Sequence, residues 1–177
     1  LFAQVLWGDV PFEGGDRWVV LQSYDAETGR RTALDLGRLR LLRSSAPVFE
    51  HLAAAEAVDF NLVHESGEVE RVSGARVTPG MFAYLPYEPL LGRLPAVGDN
   101  AAGSERVVFI RESLWRRRFG ASPEILGRPI RLGEVAHVVV GVLPDDAGYP
   151  AEGEIWVPLD EESAGAEVEV DGIAGSR

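Results

Sequence analysis

Glycine and proline punctuate this chain densely: 20 glycines and 11 prolines make up 31 of its 177 residues, well above an average share of roughly 12%. Glycine opens the left-handed backbone region and proline removes a backbone donor. A chain broken this often is expected to be built from short strands and turns rather than a long helical bundle. The remaining composition, 46% hydrophobic and 25% charged, suits a globular chain with material for one domain or two small lobes. No apolar run approaches the roughly 18 residues of a membrane helix, and no charged and then apolar leader is visible.

Two residue types are missing. There is no cysteine, which excludes disulfides, thiolate zinc sites and a cysteine nucleophile. All 17 basic residues are arginine. Without lysine there is no P-loop phosphate ligand, no Schiff base and no Ser-Lys dyad. The formal charge is -11. Ten acids fall between Pro144 and Ser176, with no arginine before Arg177. That stretch reads as a solvated acidic face or tail, the wrong sign for a phosphate backbone, so nucleic acid is not an expected partner.

Apolar periodicity divides the chain into mixed elements. "RWVVLQSY" (17–24) predicts a strand before the turn "DAETGR". "LDLGRLRLLRSS" predicts a helix with Asp35 as N-cap, and "VFEHLAAA" (48–55) a second helical piece after Pro47. Val58, Phe60 and Leu62 alternate with polar residues, so "VDFNLVH" and "VERVSGARVT" predict a hairpin across "ESGE". Thr78 and Pro79 open a short helix. "RVVFI" is a buried strand leading into a helix at "ESLWRRRFG". "SPEILG" predicts one compact turn capped by Ser122 and stopped by Gly127. A second hairpin folds at Gly133-Glu134, and "EIWVPL" predicts the closing strand. Helices and strands alternate without βαβ regularity, which makes the class α+β.

The run "LWRRRFG" places three arginines between two aromatics. On a helix, Trp115 and Phe119 share a face, bordered by Leu114, and Arg116 lies four residues after Glu112. The arginines oppose the helix dipole and Gly120 ends the helix. The expected role is packing and termination of one short helix.

Residues with chemistry are scattered. His51 is read on a helix, without the second histidine four residues away that a zinc helix needs, and His137 on one face of a strand; neither these nor His64 forms a metal pattern. Asp145, Asp146, Glu152 and Glu154 share a loop whose oxygens could hold calcium or act as a hydrolase pair, but they lack EF-hand spacing. Ser44, Ser73 and Ser104 sit in no nucleophile elbow, and Gly14-Gly15 is no dinucleotide fingerprint. No catalytic, cofactor-binding or metal residue is assigned, and no enzyme is expected.

From Val77 to Leu159 the sequence resembles a known family. "VTPGMFAYLPYEPLLGR", "VVFIRESLWRRRFGASPEILGRPIRL", "AHVVVGVLP" and "IWVPL" follow in order the family's P-L-L-G-R turn, LW-x-R-R-F-G helix, G-R-x-I-x-L strand and closing T-V-V-G-V-x-P and W-V-P-L strands. The family is the MacB-like periplasmic core domain of ABC transporter permeases, and the LW-x-R-R-F-G variant resembles the duplicated orphan permeases of acidobacteria. "PFEGGDRWVVL" is a weaker match to its first strand, and "YLPYEP" departs from its L-G-V-x-P turn.

The resemblance implies a porter-like α/β sandwich lobe with a second small α+β lobe inserted, drawn here as residues 17–76 and 77–160 with an acidic tail at 161–177. It implies a non-catalytic ectodomain between two membrane helices, without cofactor. Its expected partners are its own permease helices, a cytoplasmic ATPase, and another periplasmic protein or a second permease half. The chain lacks the family's stretch after W-V-P-L and is expected to be incomplete at its C-terminus. The alternative reading is a secreted or periplasmic module binding glycan or calcium, using exposed aromatics such as Trp156.

Overall fold

The computed structural model describes residues 2–6, 18–24, 27–32, 34–45, 51–85, 87–99, 101, 103–147, 153–160 and 169–175. In chain order the strands and helices are β1 (Phe2–Leu6), β2 (Trp18–Tyr24), β3 (Arg31–Thr32), β4 (Leu34–Asp35), α1 (Leu36–Ser45), β5 (His51–Val63), β6 (Val69–Val77), β7 (Leu91–Gly92), β8 (Val107–Arg111), α2 (Glu112–Phe119), β9 (Pro129–Leu132), β10 (Val135–Leu143), β11 (Ile155–Pro158) and β12 (Glu169–Gly175). Short 3-10 turns occupy Pro79–Tyr84 and Pro123–Ile125. The class is α+β, as the mixed periodicities predict. The chain forms two compact units, residues 1–56 with 160–177, and residues 57–159. The second is thus inserted in sequence into the first. The sequence places the lobe boundary at 76/77; in the structure the 58–77 hairpin belongs to the inserted unit.

In the first unit the strand order is β1-β2-β12-β5, all antiparallel. β12 lies between β2 and β5, pairing Ile173 with Val20 on one side and with Ala53 on the other. The stretch read as an acidic tail is therefore an inner strand over residues 169–175. Its acids misled because charge counting does not register the backbone donors and acceptors that pair them. A second correction concerns "VFEHLAAA": His51–Ala55 is strand, not helix. Ala53, Ala54 and Ala55 are buried there, and tertiary pairing with β12 overrides the helical propensity of alanine. α1 forms where expected and buries Leu36 and Leu39, while Leu41 faces water. The Arg43 guanidinium donates to the Leu52 carbonyl at 2.7 Å.

In the inserted unit the order from the second half of β5 is β5-β6-β11-β8-β10-β7, with β9 pairing both β10 and β5. β6/β11 and β8/β10 are parallel, while β11/β8, β10/β9 and β10/β7 are antiparallel. β8 is buried at Val107, Val108, Phe109 and Ile110, as expected for a strand covered on both faces. One core joins Phe60, Leu62, Val108, Ile110, Leu114, Ile130 and Ile155. Alternate side chains turn the other way: Trp156 meets Phe82 edge-on at 6.3 Å. Gly74, on β6, is required by close approach, because a Cβ there would stand 2.1 Å from the Ile155 carbonyl oxygen.

Candidate functional site

α2 follows β8 directly and is the helix that carries "LWRRRFG". Leu114 is fully buried in the core, with Trp115 and Phe119 packed against it. The Trp115 indole Nε1 donates to the Ser122 carbonyl at 2.9 Å, a bond that helical spacing alone does not foretell. The chain then reverses at Gly120, whose φ of 61° is the left-handed stop expected of glycine. Ser122 caps the next turn, accepting from the Glu124 N–H at 3.3 Å.

The arginines divide their work. Arg116 bonds Glu112 one turn back, Nε to Oε1 at 2.8 Å. Arg117 grips Glu154 with both terminal nitrogens, at 2.8 and 2.9 Å, and reaches Glu70 at 3.2 Å. The Nε of Arg118 donates to Glu70 at 2.6 Å. Two carboxylates, one on β6 and one just before β11, thus fasten the helix to the sheet. At the other end of α2 the Ser113 N–H donates to Asp145 at 2.9 Å, and the Ser113 hydroxyl to Glu154 at 3.3 Å. The electrostatics follow. Arg117 is the main cause holding the Glu154 carboxyl below its usual range, with burial opposing it. Burial pushes the Glu70 carboxyl up, but its bonds to Arg118 and Arg117 together outweigh that and leave it lowered. Glu154 in turn raises Arg117 above the ordinary guanidinium value.

The other sequence candidates fall apart in space. His51 lies on β5 rather than on a helix. The His64 Nε2 is buried 3.3 Å from a Glu70 oxygen, out of hydrogen-bond alignment. His137 is half-buried on β10, and burial lowers its pKa. In the acidic loop, Asp145 and Glu154 are both taken by α2, Asp146 is exposed, and Glu152 lies outside the described residues. Among the described residues no group of three His, Asp or Glu side chains is placed to hold a metal. Ser44 and Ser104 donate to backbone carbonyls, those of Leu41 and Asp99. Gly14-Gly15 also lies outside the described residues. Trp156, read as an exposed aromatic, is instead fully buried, with the Arg111 guanidinium 5.5 Å from its ring centre. Its strand is covered on both faces, and the alternation in "IWVPL" could not reveal the second cover.

Beside α2 the structure forms a cleft of about 700 Å³, between the β5–β6 turn, the C-terminal end of the helix and β9. Its wall includes Arg118, Arg128 and Arg131. Neither the cleft nor the Glu70–Arg117–Glu154 knot was read from the sequence. The knot's partners are 37 and 47 residues apart, beyond any local spacing rule.

Fold and site together define a class: a bipartite α+β domain in which one unit, residues 57–159, is inserted in sequence between residues 56 and 160 of the other. The chain belongs to the MacB-like periplasmic core domain family, whose model matches residues 8–174. It is thus the periplasmic domain of a MacB-like ABC transporter permease. Its fold is similar to the periplasmic region of MacB from Actinobacillus actinomycetemcomitans (TM-score 0.69, 16% identity, covering 90% of this chain and 75% of that one). It is also similar to a permease-protein domain from Porphyromonas gingivalis (0.67, 16%, 92% and 76%). A third similar structure is the extracellular domain of the noncanonic ABC-type transporter YknZ from Gram-positive bacteria (0.66, 15%, 89% and 82%). No curated protein matches the chain. Among the described residues no helix is long and apolar enough to cross a membrane.

Proposed function

We propose that this domain is a non-catalytic ectodomain that stands in the periplasm. There it couples ATP hydrolysis by a cytoplasmic module to movement or export of a substrate. The observation that carries this reading is the family match over residues 8–174. The ionic arrangement supports it: Glu70, Glu154 and Asp145, the carboxylates nearest α2, bond to that helix rather than converging on an open reacting position. A domain that transmits force benefits from such ties between helix and sheet. Its partners on this reading are the membrane helices of its own permease, the ATPase, and a second permease half or another periplasmic protein.

The test uses the full-length permease reconstituted with its ATPase. Spin labels replace Leu41 and Val97, exposed residues of the two units. Trapping the ATP-bound state should shift the distance distribution between them. An unchanged distribution in a transporter that still hydrolyses ATP would refute coupling through this domain. The reading frame offers a second check: a membrane helix just before Leu1 and three after Arg177 are expected, and a signal peptide with a stop soon after Arg177 would sink the proposal.

A further inference from the structure

We propose that the inserted unit is a closed ring of strands that opens at one built-in seam, between β5 and β9. Six strands complete the ring: β5 pairs β6, β6 pairs β11, β11 pairs β8, β8 pairs β10, β10 pairs β9, and β9 returns to β5. Closure leaves no strand edge free, so a large change of shape needs one junction to part. The junctions are unequal. Four residue pairs join β6 to β11 and β9 to β10, and five join β8 to β10. β8 and β11 share two, Ile110 with Ile155 and Phe109 with Trp156, but all four side chains are fully buried. That junction is also bridged by α2, which continues from β8 and whose Arg117 grips Glu154 just before β11. β5 and β6 are consecutive strands held by their turn, where the His64 N–H donates to the Glu68 carbonyl at 2.8 Å.

The β5–β9 junction has neither a bridging helix nor a tight turn. It too has two pairs, Leu62 with Leu132 and Val63 with Arg131, extended by one bond from the Gly133 N–H to the Asn61 carbonyl at 2.7 Å. Leu62 and Leu132 face the core, Leu132 at its rim with 8% exposure. On the other side of the pairing Val63 is half-buried and Arg131 exposed, so water reaches the seam. Among the described residues one ion pair crosses it, Arg128 with Glu65, and the Glu65 side chain is 85% exposed. A pair so open to water is screened and contributes little. Parting here turns the ring into an open sheet with two new strand edges, while Glu70 and Glu154 keep α2 fastened. This device stands on the inserted unit alone and is independent of the coupling role.

The test is native-state hydrogen exchange of the 177-residue chain, read amide by amide by NMR. The Gly133 N–H reports the seam. The Arg111 N–H, which donates to the Glu154 carbonyl at 2.8 Å, reports the junction beside α2. Corrected for intrinsic rates, Gly133 should exchange at least about tenfold faster, through local opening. Addition of about 1 M urea should accelerate it less than Arg111, because opening the seam exposes less surface than unfolding the unit. A lock isolates the seam. Val63→Cys/Arg131→Cys puts two thiols on directly opposed residues in a chain with no cysteine of its own. Opposed residues of an antiparallel pair lie about 4.5–5.5 Å apart at Cα, within disulfide reach. Oxidation should bring the Gly133 and Arg111 rates to within about twofold of each other, and reduction should separate them again. Mass spectrometry and far-UV circular dichroism verify the bond and the fold. Where either fails, Leu132→Cys and Ile155→Cys, each a single buried thiol, make the comparison by reagent labelling, the first labelling at least about tenfold faster. Equal Gly133 and Arg111 rates in the parent chain, equal acceleration by urea, a lock that leaves their ratio unchanged, or equal labelling of the two thiols would each overturn the proposal.

Discussion

Replacing Trp115 separates two contributions that the structure superimposes at one residue. The indole packs against the core beside Leu114 and Phe119 while remaining half-buried, and its Nε1 donates to the Ser122 carbonyl at 2.9 Å. Removing a core Trp or Phe side chain costs roughly 3–5 kcal/mol. Because this ring keeps part of its surface in water, Trp115→Ala should fall at the low end, about 3 kcal/mol. Trp115→Phe keeps most of the packing and loses the hydrogen bond, so about 1 kcal/mol is expected. For a domain of this size 1 kcal/mol lowers the midpoint of thermal unfolding by about 2–4 °C, so the alanine variant should melt about 6–12 °C lower. Urea unfolding followed by far-UV circular dichroism reads the difference without relying on the fluorophore that has been removed. An alanine variant within 0.5 kcal/mol of the parent would show that the ring is not part of the core. A phenylalanine variant as unstable as the alanine one would show that the indole bond, not the packing, dominates.

Acid should weaken the tie between α2 and the sheet. Glu70 and Glu154 have carboxyl pKa values lowered in the fold, so at mildly acid pH the unfolded chain binds more protons than the folded one. Their stabilisation is complete above the unfolded value of about 4.3 and is lost as pH falls through the lower folded values. Urea midpoints should stay level from about pH 7 to 5 with respect to these groups and drop below about 4. The Glu70→Gln/Glu154→Gln double variant should show a shallower drop, not a flat one, because Asp99, paired with Arg93, is also lowered. An identical acid slope in the variant would contradict the assignment. Gly74→Ala should destabilise by about 3 kcal/mol or more, an overpacking cost at its upper range, because the added Cβ meets the Ile155 carbonyl on a paired strand. A soluble variant with an unchanged unfolding midpoint would refute this.

The features legible in the sequence are those set by neighbours along the chain. α2, the Ser122 cap, the Gly120 stop and the Gly133-Glu134 hairpin each depend on a few consecutive residues. The four-residue spacing of Glu112 and Arg116 predicts their ion pair by the same logic. What escaped depends on distant partners. Alanines at 53–55 became strand because β12 lies beside them. Trp156 was buried by Phe82 and Arg111, from elsewhere in the chain. Arg117 and Arg118 looked like dipole complements and serve as cross-links, since their carboxylates come from β6 and the approach to β11. The cleft is a vacancy between three separate segments, and no single segment carries its signature.

The position of β12 bears on how the chain can be made. Residues 51–55 leave the ribosome early, with one backbone edge awaiting a strand that begins at residue 169. All of residues 57–159, a compact unit of their own, are synthesised in the interval. The usual order, in which the N-terminal unit folds first, is therefore reversed: the inserted unit can close while the first still lacks an inner strand. Until then the facing edges of β2 and β5 stay open to wrong partners, so a chaperone that shields strand edges should matter most before residues 169–175 become available to pair.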